Sequence, residues 1–123
     1  MEIVILSVGL YYLYPYMTSR LANAGFKNAE TVAMIKAAES GNVDGVNATV
    51  KAGADPNTIG NDNVTPLMFL LGDKDVNVTG FAAVITAGAN PNLPSTDGYA
   101  PIMLAARIKD PSFLQAMPNS WYY

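Results

Sequence analysis

The sequence predicts an all-α chain of helix-turn-helix units stacked as a solenoid with projecting loops, and three observations carry that reading. Ala52-Gly53-Ala54-Asp55-Pro56-Asn57 returns as Ala87-Gly88-Ala89-Asn90-Pro91-Asn92, 35 residues further on. A second marker keeps the same step, since Thr65-Pro66-Leu67-Met68 is followed by Ala100-Pro101-Ile102-Met103. Two markers sharing a period between about 20 and 50 residues point to stacked units. The third observation is punctuation. Gly53 and Gly88 stand where a helix needs a left-handed residue to stop. Pro56 and Pro91 forbid helix continuation and press the preceding residue into extended backbone.

Taken in order, the chain opens with an uncharged apolar stretch over residues 3–16, interrupted by Pro15. It is shorter than the roughly 20 residues a membrane span needs, but it has the length of a signal-peptide apolar region. Ala22-Asn23-Ala24 would serve as a small-residue cleavage site. Glu2 opposes that reading, because a signal peptide starts with positive charge. Residues 1–28 are therefore read as an apolar segment followed by a linker from Arg20 to Asn28, the segment being either an export signal or anchor, or an element capping the first unit. As an anchor it would bring residues 3–17 to a membrane, with Arg20 and Lys27 on the cytoplasmic side. The compartment stays open between the cell envelope and the cytoplasm.

The repeats are expected over residues 29–117, divided near 29–60, 61–95 and 96–117. The first hairpin begins near Ala29, where Thr31, Val32, Ile35 and Ala38 fall at helical spacing. Ser40-Gly41-Asn42 makes the turn, and Val43, Val46 and Val50 mark the buried stripe of the second helix. Gly60-Asn61-Asp62-Asn63 and Ser95-Thr96-Asp97-Gly98 form equivalent polar loops, with Asn63 and Gly98 at matching positions that tolerate positive φ. Thr65 caps the next helix and Pro66 takes its first position. That helix ends near Leu71, and its partner, near residues 79–87, buries Phe81, Val84 and Ile85. Two extra residues are expected in Val76-Asn77-Val78-Thr79-Gly80, from aligning Asp75 with Asn42. The third hairpin starts at Pro101 with Ile102, Ala105 and Ala106 inward. It turns at Lys109-Asp110 and resumes at Pro111 with Phe113, Leu114 and Met117. Pro118-Asn119-Ser120-Trp121-Tyr122-Tyr123 leaves the pattern, so residues 118–123 are an atypical aromatic tail that a partner, a neighbouring chain or further repeats would cover.

These markers together resemble the ankyrin repeat over about residues 30–117. The stretches that carry the resemblance are Ala37-Ala38-Glu39-Ser40-Gly41 running on to Gly53-Ala54-Asp55-Pro56-Asn57, then Thr65-Pro66-Leu67-Met68, and Asp97-Gly98-Tyr99-Ala100-Pro101-Ile102-Met103-Leu104-Ala105-Ala106. Met68 and Met103 replace the family's His, Leu70-Leu71 replaces its small Ala pair, and Thr49 stands where it usually has Leu.

Composition narrows the function. Cysteine and histidine are both absent, which removes thiol and Ser-His-Asp chemistry and the usual zinc ligands. A net charge of −3 argues against phosphate-backbone binding, so no nucleic acid is expected. Asp73-Lys74-Asp75-Val76-Asn77 begins like a calcium loop but lacks the required Gly and Glu. The glycosylation-type patterns at Asn47, Asn63 and Asn77 are read as coincidence in an Asn- and Thr-rich chain. Asp62 and Asp97, equivalent in adjacent units, are read as turn residues rather than a catalytic pair. Met34, Met68 and Met103 are read as core filling.

No cofactor, metal or enzymatic activity is expected. The resemblance implies a protein-binding module whose contacts lie on Asn61, Asp62, Val64, Thr96, Asp97 and Tyr99 in the loops. On the helices they fall on Glu39, Ser40, Gly72, Asp73, Arg107 and Ile108. The acidic members favour a partner with a basic surface, and Tyr99 and Arg107 are the expected anchors. Short bacterial ankyrin proteins with an apolar N-terminus look similar to envelope proteins that neutralise a co-encoded toxin. The alternative is a structural piece that self-associates through its apolar termini.

Overall fold

The computed structural model describes residues 20–73 and 75–117, and the apolar segment at 3–17 and the tail at 118–123 lie outside them. Every regular element among the described residues is helical, with no strand. In chain order these are α1 (Ala29–Glu39), α2 (Val43–Lys51), a single 3-10 turn (Asn61–Asn63), α3 (Pro66–Leu71), α4 (Val78–Thr86), α5 (Pro101–Arg107) and α6 (Ser112–Gln115). Helix α1 packs on α3 and α3 on α5, while α2 packs on α4 and α4 on α6. The result is two rows of helices, linked by contacts of α1 with α2, α3 with α4 and α5 with α6.

The helix starts follow from short polar side chains that accept the amide hydrogens left unbonded in a first turn. The Asn28 side chain accepts from the Thr31 N–H, Asn42 from Gly45, Thr65 from Met68 and Asn77 from Gly80. Pro66 and Pro101 occupy the first turns of α3 and α5, where a missing N–H costs nothing. The stops also repeat. Gly53 has φ 115° and Gly88 φ 116°, values an L side chain resists. Gly53 N–H donates to Val50 O at 3.1 Å and Gly88 N–H to Ile85 O at 3.0 Å. Asn57 and Asn92 then turn alike, their N–H groups donating to the Asp55 and Asn90 side chains at 2.8 and 2.9 Å.

This bond pattern corrects the expected insertion. Asn77, not Asp75, holds the capping position, with Gly80 N–H 3.0 Å from its side-chain oxygen where Gly45 N–H is 2.9 Å from that of Asn42. Asn42 and Asn77 therefore keep the 35-residue step, and Val76-Asn77-Val78-Thr79-Gly80 holds no bulge. Asp75 is drawn instead into the preceding turn, where its N–H donates to the Asp73 carboxylate at 3.0 Å.

The core contains Leu21, Phe26, Met34, Ile35, Val46, Leu67, Phe81 and Val84, each at most 1% exposed. Leu21 and Phe26 lie in the stretch expected to be a linker. That stretch packs instead: residues 20–23 are helical, and the Phe26 ring meets Phe69 edge-on at 5.8 Å. Burying two such side chains stabilises by about 1.5–3 kcal/mol each. Phe81 meets Phe113 in the same way at 5.5 Å, which ties α6 to α4. Several expected core residues face solvent. Val43 is 40% exposed and Met103 50%, Ala106 is exposed and Met68 half-buried, whereas Ile102 packs against the core as expected. Val43 is the first residue of α2, before the stripe of Val46 turns inward. Among the three repeated methionines, Met34 alone fills the core.

Where α4 crosses α1, no side chain separates the backbones. A Cβ at Gly80 would lie 2.8 Å from Ala38 Cα and closer still to the Ala38 carbonyl, and a backbone cannot step aside as a side chain can. Gly80→Ala is expected to lower stability by about 3 kcal/mol. Gly72→Ala, whose Cβ would meet nothing nearer than 3.4 Å, should stay within about 0.5 kcal/mol of wild type. Urea denaturation of both variants checks this, and a wild-type midpoint for Gly80→Ala would refute the close crossing.

Candidate functional site

The site begins with two loops of matching design. In the first, Gly60 N–H donates to Val64 O at 2.8 Å; in the second, Ser95 N–H donates to Tyr99 O at 2.9 Å. Each closing bond turns the chain back on itself between the two rows of helices. Asp62 and Asn63 take φ 55° and 60°, and Gly98 takes 88°. Asp and Asn tolerate this left-handed region better than most residues, and Gly enters it freely. The loops are also bonded to one another. Thr96 N–H donates to Asp62 O at 2.8 Å, and on the other side Asn61 N–H donates to Ala24 O at 2.8 Å.

With their backbones satisfied, the loops present side chains. Asp62, Val64, Met68, Ser95, Thr96 and Asp97 line an open depression of about 460 Å³ between them. Four of the expected contact residues, Asp62, Val64, Thr96 and Asp97, meet there. Both aspartates are exposed. The Ser95 hydroxyl, donating to the Asp97 carboxylate, holds that carboxyl below its ordinary value against the opposing effect of desolvation, with the Tyr99 and Asp97 backbone N–H groups adding lesser contributions. Tyr99 stands in the same loop at 44% exposure.

A second depression lies on the far side of Met68, lined by Arg20, Met68, Phe69, Gly72 and Asp73. Here Glu39 and Asp73, two further expected contact residues, converge on one cation. Arg20 pairs with Glu39 and, at 3.7 Å, with Asp73. Its guanidinium carbon lies 4.9 Å from the centre of the Phe69 ring, within cation–π range.

The remaining expected residues are scattered or engaged. The Asn61 side chain donates to Asn23 O at 2.9 Å, so it braces the loop. Ser40 is exposed and its hydroxyl returns to Ala37 O at 3.0 Å. Arg107 is exposed at the end of α5. Ile108 is half-buried against the core, and Gly72 ends α3. Sequence reasoning missed Met68, Ser95, Arg20 and Phe69. The 35-residue step from Met68 to Met103 was the available signal, since each stands in the first turn of its helix just after a loop. Arg20 gave no signal, because its partners are 19 or more positions away.

Capping absorbs two of the glycosylation-type patterns: Thr65 is 1% exposed, and the Asn77 side chain is engaged by Gly80, while Asn47 is exposed in the middle of α2. Asp110, whose carboxylate accepts from the Ser112 backbone N–H at 2.9 Å, is likewise held below its ordinary value at the start of α6. Among the described residues, no helix is long and apolar enough to cross a membrane, and no three acidic side chains converge as a metal site would need. On the opposite row, Val43, Val78, Ala82 and Ala116 help line a shallow apolar depression between α2, α4 and α6.

The chain matches no protein-family model and no curated protein.

Because the folded Asp97 value is depressed, whatever this contact contributes is present above the ordinary carboxylate value and lost as pH falls through the lowered one. Ser95→Ala removes the largest cause, so Asp97 should titrate at higher pH than in wild type. Carboxyl-carbon NMR reads this directly, and an unchanged Asp97 midpoint would contradict the assigned cause.

Proposed function

We propose that this chain is a short ankyrin-type solenoid that binds another protein along the loops and the α1–α3–α5 row, and that it is not an enzyme. The observation that supports this most is the pairing of equivalent positions. Val64 and Met68 in one unit correspond to Tyr99 and Met103 in the next, 35 residues on. All four are apolar, none is fully buried, and Tyr99 and Met103 are 44% and 50% exposed. The helices that carry the two methionines, α3 and α5, pack side by side. Large apolar side chains left in solvent at repeating positions are what a binding face requires and what a self-contained fold would bury. The neighbouring aspartates add charge without a cleft that would shield a reaction from water, which suits recognition rather than catalysis.

The partner most compatible with this face is a protein presenting basic and apolar groups together. Asp62 and Asp97 would steer it electrostatically, while Tyr99 supplies a rigid aromatic surface at low entropic cost. The exposed carboxylates are screened within about 8–10 Å at physiological salt. Binding should therefore weaken as salt rises without being abolished.

Capture of partners on immobilised protein, followed by mass spectrometry, identifies the ligand. Calorimetry with that partner then tests the face. Tyr99→Ala should cost about 2 kcal/mol of affinity, roughly 30-fold, while the thermal melting curve stays unchanged. Equal affinity for the variant removes Tyr99 from the face.

A further inference from the structure

Resting on the protein-binding reading above, we propose that the depression lined by Asp62, Val64, Met68, Ser95, Thr96 and Asp97 receives an arginine side chain of the partner, its guanidinium against the two carboxylates and its methylene stem along Val64 and Met68. The lining divides in the way such a side chain divides. Two acids come from loops of adjacent units, an aliphatic and a thioether side chain supply the apolar part, and Ser95 and Thr96 complete the lining. Arginine buries its stem on apolar surface and keeps its head on polar groups, and its planar fork can serve two carboxylates at once where lysine offers one compact charge. Neither Asp62 nor Asp97 is ion-paired among the described residues, so none of those residues supplies the complementary charge on this side of Met68.

An independent observation comes from the other side of Met68, where the chain supplies the same chemistry to itself. Arg20 brings its guanidinium to Glu39 and Asp73, which come from adjacent units, over the Phe69 ring. Met68 lines both depressions. An acid from each of two units with an apolar wall between them thus already holds one arginine on this face. The second arrangement repeats the recipe without a cation from the described residues. The backbone bonds that close the loops fix the main chain at both aspartates, and Ser95 holds the Asp97 carboxylate, which lowers the ordering cost of binding.

The test titrates the full chain with acetyl-arginine amide and, separately, with acetyl-citrulline amide, which keeps the shape and loses the charge. Amide NMR shifts confined to residues 62–68 and 95–97, saturating in the millimolar range with arginine and at least about tenfold weaker with citrulline, are the expected result. Asp62→Asn with Asp97→Asn should weaken the arginine response about tenfold while the rest of the spectrum is unchanged, because Asn tolerates the left-handed turn at 62 and keeps an acceptor for Ser95 at 97. Equal shifts with the two amides, shifts spread over unrelated acidic residues, or full binding by the double variant overturn the proposal. A partner identified by capture that binds wild type and double variant equally removes the arginine site and leaves the protein-binding reading standing. Localised arginine binding in a chain whose Tyr99 face engages no protein does the reverse.

Discussion

Two helices meet here with nothing between them but backbone. Gly80 of α4 lies against the Ala38 carbonyl of α1, and the absence of a side chain at position 80 sets how far apart the first two hairpins stand. That spacing propagates. With α4 seated on α1 and α2, Phe81 and Val84 reach a core where no atom of either is appreciably exposed, and Phe81 extends the contact to Phe113 of α6. A core of this size tolerates little dilation, since its side chains are packed at crystal-like density. One missing methyl group therefore governs the register of the loops, which hang from the ends of these helices.

The loops are held by a second device that acts from unit to unit. The Asn57 side chain donates to Gly88 O at 3.0 Å and accepts from Asn90 N–H at 2.6 Å. It thus satisfies, from one unit, the polar groups left open where the next unit's helix stops. Thr96 to Asp62 and Asn61 to Ala24 repeat the principle at the loop tips. Stacked units of this kind hold together by nearest-neighbour terms, and here those terms are partly hydrogen bonds rather than apolar area alone. Leu21 and Phe26 are buried in the same core, and Phe26 meets Phe69 of the next unit, so the stretch ahead of α1 packs with the rest.

Much of the helix pattern was legible because its signals are local. A Thr-Pro pair starts a helix by chemistry that needs no tertiary help, and a Gly after a helix stops it for reasons of sterics. The all-α class and the starts of α1 and α3 follow from such signals. The misplaced insertion shows where they fail. Asp75 and Asn77 are both good caps by type, and the backbone bond each one makes decides between them. Val43, Ala106 and Met103 failed for another reason: a short helix exposes whichever end its neighbours do not reach, and the hydrophobic pattern says nothing about reach. The candidate site was half legible. The loop aspartates were expected as contacts through the resemblance to ankyrin repeats, whereas the Arg20 cluster joins residues too distant in sequence for any pattern to pair.

The division of labour within each loop is consistent with the recognition role proposed above. The bonds from Gly60 to Val64 and from Ser95 to Tyr99 are made by backbone, as are those that stack one loop on the next. Side-chain identity at Asp62, Val64, Thr96 and Tyr99 is therefore nearly free of the duty of holding the loop's shape, provided positions 62 and 63 accept positive φ. Asp97 is the exception, since its carboxylate both accepts from Ser95 and faces the depression. A surface whose form is carried by main chain and whose chemistry is carried by side chains can change its ligand without changing its fold. Conversely, Gly80 and the glycines at 53 and 88, which sterics hold in place, touch no ligand on this reading.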